Sequence, residues 1–588
     1  MQKENLAAGY ISILLLTLVY SILNMYSQTG HSLFNCFLFI VSTNYFTLSL
    51  IFGLLLLAGR VQASAARLSI NAVVFLLTLV FITDFFALTS INARFEVSDV
   101  IHYAGNLSEA LSFMSPGKIM ILLVLVFSPF FRLRVEKWKR VSWIYGGLAA
   151  FFIFSRIISH AAVKNDVGND VTLLFLEKAK SRIVTRNPSR DRLLYEAPEY
   201  AHAQPRLINL NYLKKDHPNI LLVFVESFSS IDSKKISGLY DNLPKFDRLC
   251  EKGRLFVNSL ATYEDTEGSK IALLTAQPII PYPGCNRFLY NSFWNTDTVP
   301  RAFARIGYDT EYVTTGPLEF LNQGDYLRHI GFNTVVGRGE VKRFREAKKY
   351  TFGCPSDEVL YDEIIDRIKN RGENAPFFMM GMTVSGHRPY LDPEGIANTR
   401  ERVTRYVDEK LFDLYQRLDE IQFFKNSILI ITGDHRAMFP PLEGECEKFP
   451  NIYKMRVPTL IIGKNVGQNI IDERLVSHPN LMENIYTLAY SDRKITDGVI
   501  YVERYTSGYC ELTGKLTYVD QNGCYKFTVA GDEILWDSGR PDYYRRIEKI
   551  IHIQRAVCQR WANRAGSIKI GEIVKSQAIS EKPEIIQE

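Results

Sequence analysis

The chain has 588 residues, which is long enough for several domains. Its net charge of +6 is small for this length and does not indicate a nucleic-acid partner, and its 8 cysteines are too few for a disulfide scaffold. The hydrophobic content of 47% is unevenly distributed, because residues 1–160 are strongly apolar whereas the remainder has the composition of a soluble globule.

The apolar part predicts a membrane domain of five helices over residues 1–160. The candidate spans are residues 9–27, 33–58, 69–93, 117–131 and 142–160, each near the length that a helix needs to cross a bilayer, although the fourth is short. Lys and Arg are concentrated in the loops after the second and fourth spans, which contain Arg60 and Arg67, then Arg134 and Lys137. The positive-inside rule therefore places the N-terminus in the cytoplasm and everything after residue 160 outside.

Residues 161–215 are polar with basic clusters, and we expect them to form a helical linker at the membrane surface. Over residues 216–499, short runs with strand character alternate with amphipathic stretches. This alternation favours an α/β domain with a mostly parallel sheet. The predicted strands are Ile220–Val225, Arg254–Asn258, Thr310–Thr314, Phe377–Val384, Ser427–Thr432 and Pro458–Ile462, and the predicted helices include Arg400–Ile421 and Asn480–Tyr490.

The character of the chain changes again at about residue 500. The runs Leu516–Val519 and Cys524–Val529 flank a turn sequence, Asp520-Gln-Asn-Gly523, and predict a β-hairpin. A closing helix is predicted over Asp542–Arg564. We therefore expect residues 500–588 to form a small C-terminal α+β subdomain and a tail.

Four groups in the α/β region predict a metal-bound nucleophile. Glu226 ends the first predicted strand, the Asp434-His435 pair follows Ile428–Gly433, and Thr266 offers a hydroxyl. Open α/β sheets place their sites at strand ends, and two carboxylates with an imidazole and a hydroxyl suit a divalent cation. Such an ion would lower the pKa of the Thr266 hydroxyl and direct it at phosphorus or sulfur.

Each of these residues also has an ordinary structural interpretation. A glutamate that ends a strand is commonly a solvated cap, and an Asp-His pair after a strand is commonly a helix N-cap. The run Thr266-Glu-Gly-Ser269 is typical of a helix start, with Thr266 as the N-cap and Ser269 near the third position. The combination, in this order and beside strand ends, favours the metal site.

Four motifs carry a resemblance to a known family. They are Val225-Glu-Ser-Phe228, Thr266-Glu-Gly-Ser-Lys270, Ser385-Gly-His-Arg-Pro-Tyr390 and Thr432-Gly-Asp-His435. Through them, residues 216–495 resemble the sulfatase/alkaline-phosphatase superfamily, and more closely the lipoteichoic-acid-synthase-type phosphoglycerol transferases. That family has five N-terminal spans and an extracytoplasmic catalytic domain. The resemblance implies an α-helical membrane domain followed by an α/β sulfatase-like domain.

The resemblance also implies roles for individual residues. Glu226, Thr266, Asp434 and His435 would bind one divalent metal ion, Mn²⁺ or Zn²⁺, and Thr266 would attack phosphorus. His387 would face the substrate. Three further residues are candidates to hold the non-reacting phosphoryl oxygens, with plain surface or loop residues as the alternative: Lys270, Arg388 and Asn322.

Two departures from the family pattern bear on the substrate. Thr266 stands where a sulfatase needs the Cys or Ser that becomes formylglycine, so phosphoryl transfer is favoured over sulfate hydrolysis. Leu321 and Gln323 stand where lipoteichoic acid synthases have a Trp and an Arg that contact glycerophosphate. A different head group, such as phosphoethanolamine, is therefore an alternative to phosphoglycerol.

The resulting hypothesis is a multi-pass enzyme of the bacterial plasma (inner) membrane whose catalytic domain is extracytoplasmic. It would transfer phosphoglycerol or phosphoethanolamine from a phospholipid donor to Thr266, and from there to an envelope glycan or lipid acceptor. Two other hypotheses stay open. One is a hydrolase of the same fold, a phosphodiesterase or sulfatase-type enzyme, and the other is a degenerate member that only binds a ligand or partner.

Overall fold

The structure of the protein is a computed structural model that describes residues 4–5, 44–61, 63–91, 133–134, 217–280, 289–291, 293, 298–371, 376–492 and, with short gaps, 498–551. The chain divides into two compact units. One comprises residues 1–187 with 506–513, and the other comprises residues 188–505 with 514–588.

The first unit contains two long helices that pack against each other, Tyr45–Arg60 and Ser64–Ile91. They overlap the second and third predicted spans. A short antiparallel pair joins Glu4–Asn5 to Leu133–Arg134. Among the helices of the described ranges, none is both long enough and apolar enough to cross a membrane. The other three predicted spans and the predicted linker at 161–215 lie outside the described residues.

The second unit is built on an eight-stranded sheet, whose strands we label in chain order. They are β1 (Asn219–Val225), β2 (Arg254–Phe256), β3 (Asp309–Thr314), β4 (Thr334–Val336), β5 (Phe377–Met382), β6 (Ser427–Gly433), β7 (Thr459–Gly463) and β8 (Ile470–Asp472). The main helices are Pro244–Leu249, Thr266–Thr275, Val299–Arg305, Gln323–His329, Lys342–Glu346, Asp357–Asn370, Arg400–Glu420, His478–Glu483 and Ile485–Tyr490.

The strand order is β8-β2-β7-β6-β1-β5-β3-β4. β1 lies between β5 and β6 and is parallel to both. β7 is antiparallel to both of its neighbours, so the sheet is mixed, although most of its pairings are parallel. The register pairs Val225 at the end of β1 with Gly433 at the end of β6. The residues that follow these two strands therefore emerge side by side at one edge of the sheet.

The central strands are mostly apolar, and both faces of the sheet are covered by other elements. Ile220, Leu222 and Phe224 of β1 pack in the layer that contains the helix Thr266–Thr275. The alternate residues of the strand pack on the other face against helices Asp357–Asn370 and Arg400–Glu420. This two-sided burial is typical of parallel sheets with helices on both faces.

A second sheet follows the eight-stranded sheet in the chain. Its strands lie in the order Gly498–Val502, Leu512–Asp520, Gly523–Ala530 and Glu533–Trp536, and Thr506–Ser507 pairs with the start of the second of these. The backbone N–H of Val502 donates a 2.9 Å hydrogen bond to the carbonyl of Thr262. The C-terminal sheet is thus tied directly to the segment that precedes the helix Thr266–Thr275.

The predicted hairpin is present, and the six predicted strands appear with boundaries within two residues at most ends. Of the eight strands of the large sheet, β4 and β8 were not predicted, and each has only three residues. The single helix predicted over 480–490 is wrong, because the chain forms two helices that break at Asn484, where ψ is 22°. Most of the predicted helix over 542–564 lies outside the described residues.

The two-sided core yields a stability prediction for β6. Ile430 is fully buried in the centre of this strand. We expect Ile430→Ala to lower the free energy of unfolding by about 2–5 kcal/mol, because it removes buried methyl groups and leaves a cavity. Ile396→Ala is the matched control, since that side chain is 68% exposed. Thermal unfolding of the purified variants measures the difference, and equal melting temperatures would contradict the packing described.

Candidate active site

The ends of β1 and β6 deliver three potential ligands to one point. Glu226 follows β1, and Asp434 and His435 follow β6. All three are buried, and one ligand atom of each lies within 4.8 Å of the others. The closest approach to the imidazole is 3.3 Å, from Asp434 Oδ2 to His435 Nε2. The parallel pairing of the two strands is the direct cause of this convergence.

The helix Thr266–Thr275 brings a hydroxyl to the same point. Thr266 Oγ1 lies 2.7 Å from Asp434 Oδ2, to which it donates, and 3.3 Å from both Glu226 Oε2 and His435 Nε2. The structure therefore brings together the four residues that the sequence singled out. A hydroxyl in contact with two carboxylates and an imidazole, at the start of a helix, is placed to act as a nucleophile.

The expectation that Thr266 is the N-cap of this helix is wrong. Asp265 is the N-cap, with extended backbone angles, and its side chain accepts a 2.9 Å hydrogen bond from the N–H of Gly268. Thr266 is the first helical residue. Because Asp265 satisfies the helix start, the Thr266 hydroxyl is available to the acidic cluster.

Ser227 fixes the relative position of the two carboxylates, and sequence reasoning did not identify it. Its N–H donates to Asp434 Oδ1 at 2.7 Å and its hydroxyl donates to Glu226 Oε1 at 2.8 Å. Its φ of 58° is left-handed, which is uncommon for a residue other than glycine. The only signal in the sequence is a small polar residue directly after a glutamate that ends a strand.

The electrostatics of the cluster suit a divalent cation. Burial, together with the neighbouring Glu226 carboxylate, raises the pKa of Asp434 to about 6. Burial alone would lower the pKa of His435, but Asp434 and Glu226 outweigh it and raise that pKa. The effect of Glu226 on Asp434, and of both carboxylates on His435, shows a local excess of negative charge. The oxygen and nitrogen donors, their mutual spacing and this excess all fit an ion such as Mn²⁺ or Zn²⁺.

His435 presents Nε2 to the cluster because its other ring nitrogen is engaged. Nδ1 lies 2.9 Å from the carbonyl oxygen of Arg436. The Arg436 guanidinium is held in turn by both carboxylate oxygens of Glu445, at 2.9 and 2.6 Å. A hydrogen-bonded Nδ1–H leaves Nε2 free as a metal ligand, which is the usual arrangement at metal sites.

Lys270 lies one helical turn after Thr266 and is buried. Its Nζ donates to the Tyr312 hydroxyl at 2.9 Å and to Gln323 Oε1 at 3.0 Å. Burial lowers its pKa to about 8, although Asp434 and Glu226 act in the opposite direction. These two hydrogen bonds use two of the three N–H donors of the ammonium group, so one donor is left for another acceptor.

His387 lies on the loop after β5, close enough to His435 and Asp434 to interact with them electrostatically. Burial lowers its pKa to about 4, so the imidazole is neutral at neutral pH. Its Nδ1 lies 2.7 Å from the carbonyl of Arg388, which is itself exposed. Asn322 occupies a left-handed turn, with φ of 65°, just before the helix Gln323–His329. The structure thus groups His387 with the acidic cluster, and the phosphoryl-binding roles of Arg388 and Asn322 stay predictions.

Known proteins are similar to this part of the chain. Residues 218–491 match the sulfatase family. Lipoteichoic acid synthase 1 of Bacillus subtilis is 24% identical over 285 residues, covering 43% of this chain and 43% of the relative. Phosphoglycerol transferase I of Xanthomonas axonopodis pv. citri is 23% identical over 346 residues, covering 54% of this chain and 45% of the relative. The matched regions therefore span less than half of these curated relatives.

Two solved structures also match part of the chain. A protein of the alkaline phosphatase superfamily from Vibrio parahaemolyticus has a TM-score of 0.46 and 18% identity, covering 60% of this chain and 89% of the other. The lipoteichoic acid synthase LtaP from Listeria monocytogenes has the same score and identity, covering 61% and 98%. Residues 218–491 form a sulfatase-like α/β domain with a mixed sheet, and the expectation of that fold is confirmed.

The acidic cluster yields a prediction of metal binding. We expect the purified protein to retain about one divalent ion per chain, measured by inductively coupled plasma mass spectrometry. Asp434→Asn should weaken metal affinity by more than the roughly 10–100-fold that losing a supporting residue costs, because it removes a ligand charge. Asp413→Asn is the control, since that side chain is 53% exposed on another helix. An Asp434→Asn protein that binds the ion at wild-type affinity would reject the ligand set.

Proposed function

We propose that this chain is a phosphotransferase that moves a phosphorylated head group from a phospholipid to an acceptor of the cell envelope, through a covalent intermediate on Thr266. The observation that carries the proposal is the Thr266 hydroxyl, in contact with Glu226, Asp434 and His435 at a helix N-terminus. The two curated relatives are named for lipoteichoic acid synthesis and phosphoglycerol transfer, which supports the same class of reaction.

In the first half-reaction, Thr266 Oγ1 forms a bond to phosphorus and the bond from phosphorus to the diacylglycerol oxygen breaks. Asp434 Oδ2, at 2.7 Å, is the nearest acceptor for the hydroxyl proton. The diacylglycerol oxygen departs with a proton taken from water. The N-terminal end of the helix Thr266–Thr275 favours the negative charge that develops on Oγ1.

In the second half-reaction, a hydroxyl of the acceptor attacks the phosphorus, the bond to Thr266 Oγ1 breaks, and Asp434 returns its proton to that oxygen. His387 is the candidate base, because its depressed pKa leaves it neutral and able to take the proton of that hydroxyl. Glu226, Asp434 and His435 would hold a divalent ion beside Thr266. When bound, that ion supplies Lewis-acid stabilisation of the phosphoryl charge.

The choice between phosphoglycerol and phosphoethanolamine rests on residues around Gln323. Its side-chain oxygen accepts from Lys270 and its nitrogen donates to the Pro317 carbonyl at 2.8 Å. Gln323 is 6% exposed, so its amide is committed to the interior. We therefore propose that head-group recognition uses groups near Gln323 other than its amide.

We also propose that the membrane domain anchors this reaction at the lipid surface, with the catalytic domain outside the cytoplasm of a bacterial cell. The support is the Lys and Arg asymmetry of residues 1–160. A phospholipid donor would then reach the site without leaving the bilayer surface.

The covalent mechanism makes a prediction about Thr266. We expect Thr266→Ala to lower head-group transfer by at least about 1,000-fold, since the nucleophile is lost, while Thr266→Ser retains part of the activity. Asp265→Ala is the matched control, because loss of the N-cap should cost about 0.5–2 kcal/mol of stability without removing the hydroxyl. Transfer and melting temperature are measured on the same preparations.

Mass spectrometry of Thr266 after incubation with defined phospholipids tests the intermediate directly. The added mass on the peptide that contains Thr266 identifies the head group. Full transfer by Thr266→Ala would end the covalent mechanism. Release of the head group only to water, with and without glycan acceptor, would replace the transferase by a hydrolase of the same fold.

The topology makes a separate prediction. An alkaline phosphatase reporter fused after Gln204 should be active, because that enzyme works only outside the cytoplasm, and the same reporter fused after Lys137 should be inactive. A fluorescent protein that matures in the cytoplasm should give the opposite pattern at the two positions. Cytoplasmic fluorescence from the fusion after Gln204 would overturn the orientation.

A further inference from the structure

Asp357 joins the start of one helix to the loop that carries His387. It is the first residue of the helix Asp357–Asn370 and is fully buried. Its Oδ1 accepts hydrogen bonds from the backbone N–H groups of Val384 and Ser385, each at 3.0 Å. The Ser385 hydroxyl accepts in return from the Asp357 N–H at 3.1 Å. Three hydrogen bonds thus fix the backbone two residues before His387.

The same loop is pressed against the first strand. The Thr383 hydroxyl accepts a 2.9 Å hydrogen bond from the N–H of Glu226. A Cβ on Gly386 would lie 2.3 Å from the Glu226 carbonyl oxygen, so only glycine permits this approach. The contacts of Thr383 and Gly386 hold the loop against Glu226. A shift of the backbone at Ser385 would therefore displace the His387 imidazole.

Phe352 contacts the imidazole ring of His387 directly. Its ring meets the His387 ring edge to face, with centroids 4.5 Å apart. Phe352 has a left-handed φ of 55°, which is unfavourable for a bulky side chain. Arg338 Nη1 holds this turn by donating to the carbonyls of Phe352 and Gly353 at 3.2 and 2.9 Å. The ring stays 40% exposed, so burial does not explain the strained turn.

We propose that residues 351–357 position His387. Asp357 holds the backbone of the loop that carries His387, whereas Phe352 fixes the plane of the imidazole and excludes water from one of its faces. The proposal rests on the transfer reaction above, in which His387 accepts the proton of the attacking hydroxyl. Both residues act through His387 and neither touches the substrate in this role.

The placement of the two groups supports this assignment. They are five residues apart in the chain, yet one contacts the loop backbone and the other contacts the ring. Asp357 Oδ2 is buried and makes no hydrogen bond with any residue in the described ranges. A buried carboxylate with one unsatisfied oxygen is unfavourable for stability, which supports a role for Asp357 beyond folding.

The first test measures the chemical reactivity of His387 in the purified full-length protein, without any substrate. Carbethoxylation by diethylpyrocarbonate is followed by peptide mass spectrometry, with the exposed His217 as internal reference. We expect Asp357→Ala and Phe352→Ala each to speed modification of His387 by at least about fivefold, because the loop opens more often and the ring is uncovered. Asp357→Asn should stay near the wild-type rate, since it keeps the acceptor oxygen.

Asp362→Ala is the matched control for Asp357→Ala. It lies on the same helix and pairs with Arg417 at 2.9 Å, far from the loop in sequence and in its contacts. Its His387 reactivity and its transfer rate should equal those of the wild type. Should Asp357→Ala fail to fold, the Phe352→Ala and Asp357→Asn proteins still decide the question, because Phe352 is partly exposed.

The second test is kinetic. We expect Asp357→Ala to lower kcat of transfer by about 10–100-fold with little change in KM, because the base is misplaced rather than the donor lost. In a His387→Ala background the same change should cost less than about twofold, since both act on one step. A wild-type carbethoxylation rate in Asp357→Ala, or full additivity in the double variant, would overturn the proposal. A wild-type protein that transfers no head group would instead overturn the proposed function, while the reactivity test would still judge the positioning.

Discussion

The repulsion between two buried carboxylates, Glu226 and Asp434, is the constraint on which the rest of the site depends. Burial and proximity raise the pKa of Asp434, which means that the pair is unfavourable without a compensating positive charge. The surrounding hydrogen-bond donors supply part of this compensating positive charge. The Ser227 N–H, the Thr266 hydroxyl and the N–H of His435 all point at carboxylate oxygens. What remains uncompensated is the charge that a divalent ion would neutralise.

The pairing of strands in the mixed sheet brings the two carboxylates together. β1 and β6 must be parallel neighbours in register for their following residues to meet, and both must be buried on two faces for the carboxylates to be withdrawn from water. Glycine at the sheet edge allows the two chain segments that follow β1 and β6 to approach each other closely. A Cβ on Gly433 would lie 2.3 Å from the Phe228 carbonyl, so the chain after β6 passes directly against the chain after β1.

The sequence was informative where a feature is local or repeated. Apolar runs of five to seven residues predicted the central strands, and polar residues directly after two of them predicted the meeting of Glu226 with Asp434 and His435. It was uninformative where a partner is distant. The burial of Lys270 against Tyr312 and Gln323 depends on residues 42 and 53 positions away, and no local pattern distinguishes it from a surface lysine. The three-residue strands β4 and β8 are too short to show alternation.

The hydrogen bond from Val502 to Thr262 has a consequence for how the molecule is made. Translation proceeds from the N-terminus, so the segment that leads into the Thr266 helix emerges long before the strand that braces it. Asp434 and His435 also arrive late, 168 and 169 residues after the hydroxyl that they contact. A nascent chain therefore contains Thr266 long before the residues that surround it in the folded domain. The order of synthesis leaves the cluster incomplete until His435 has emerged, and the hydrogen bond from Val502 can form only after that.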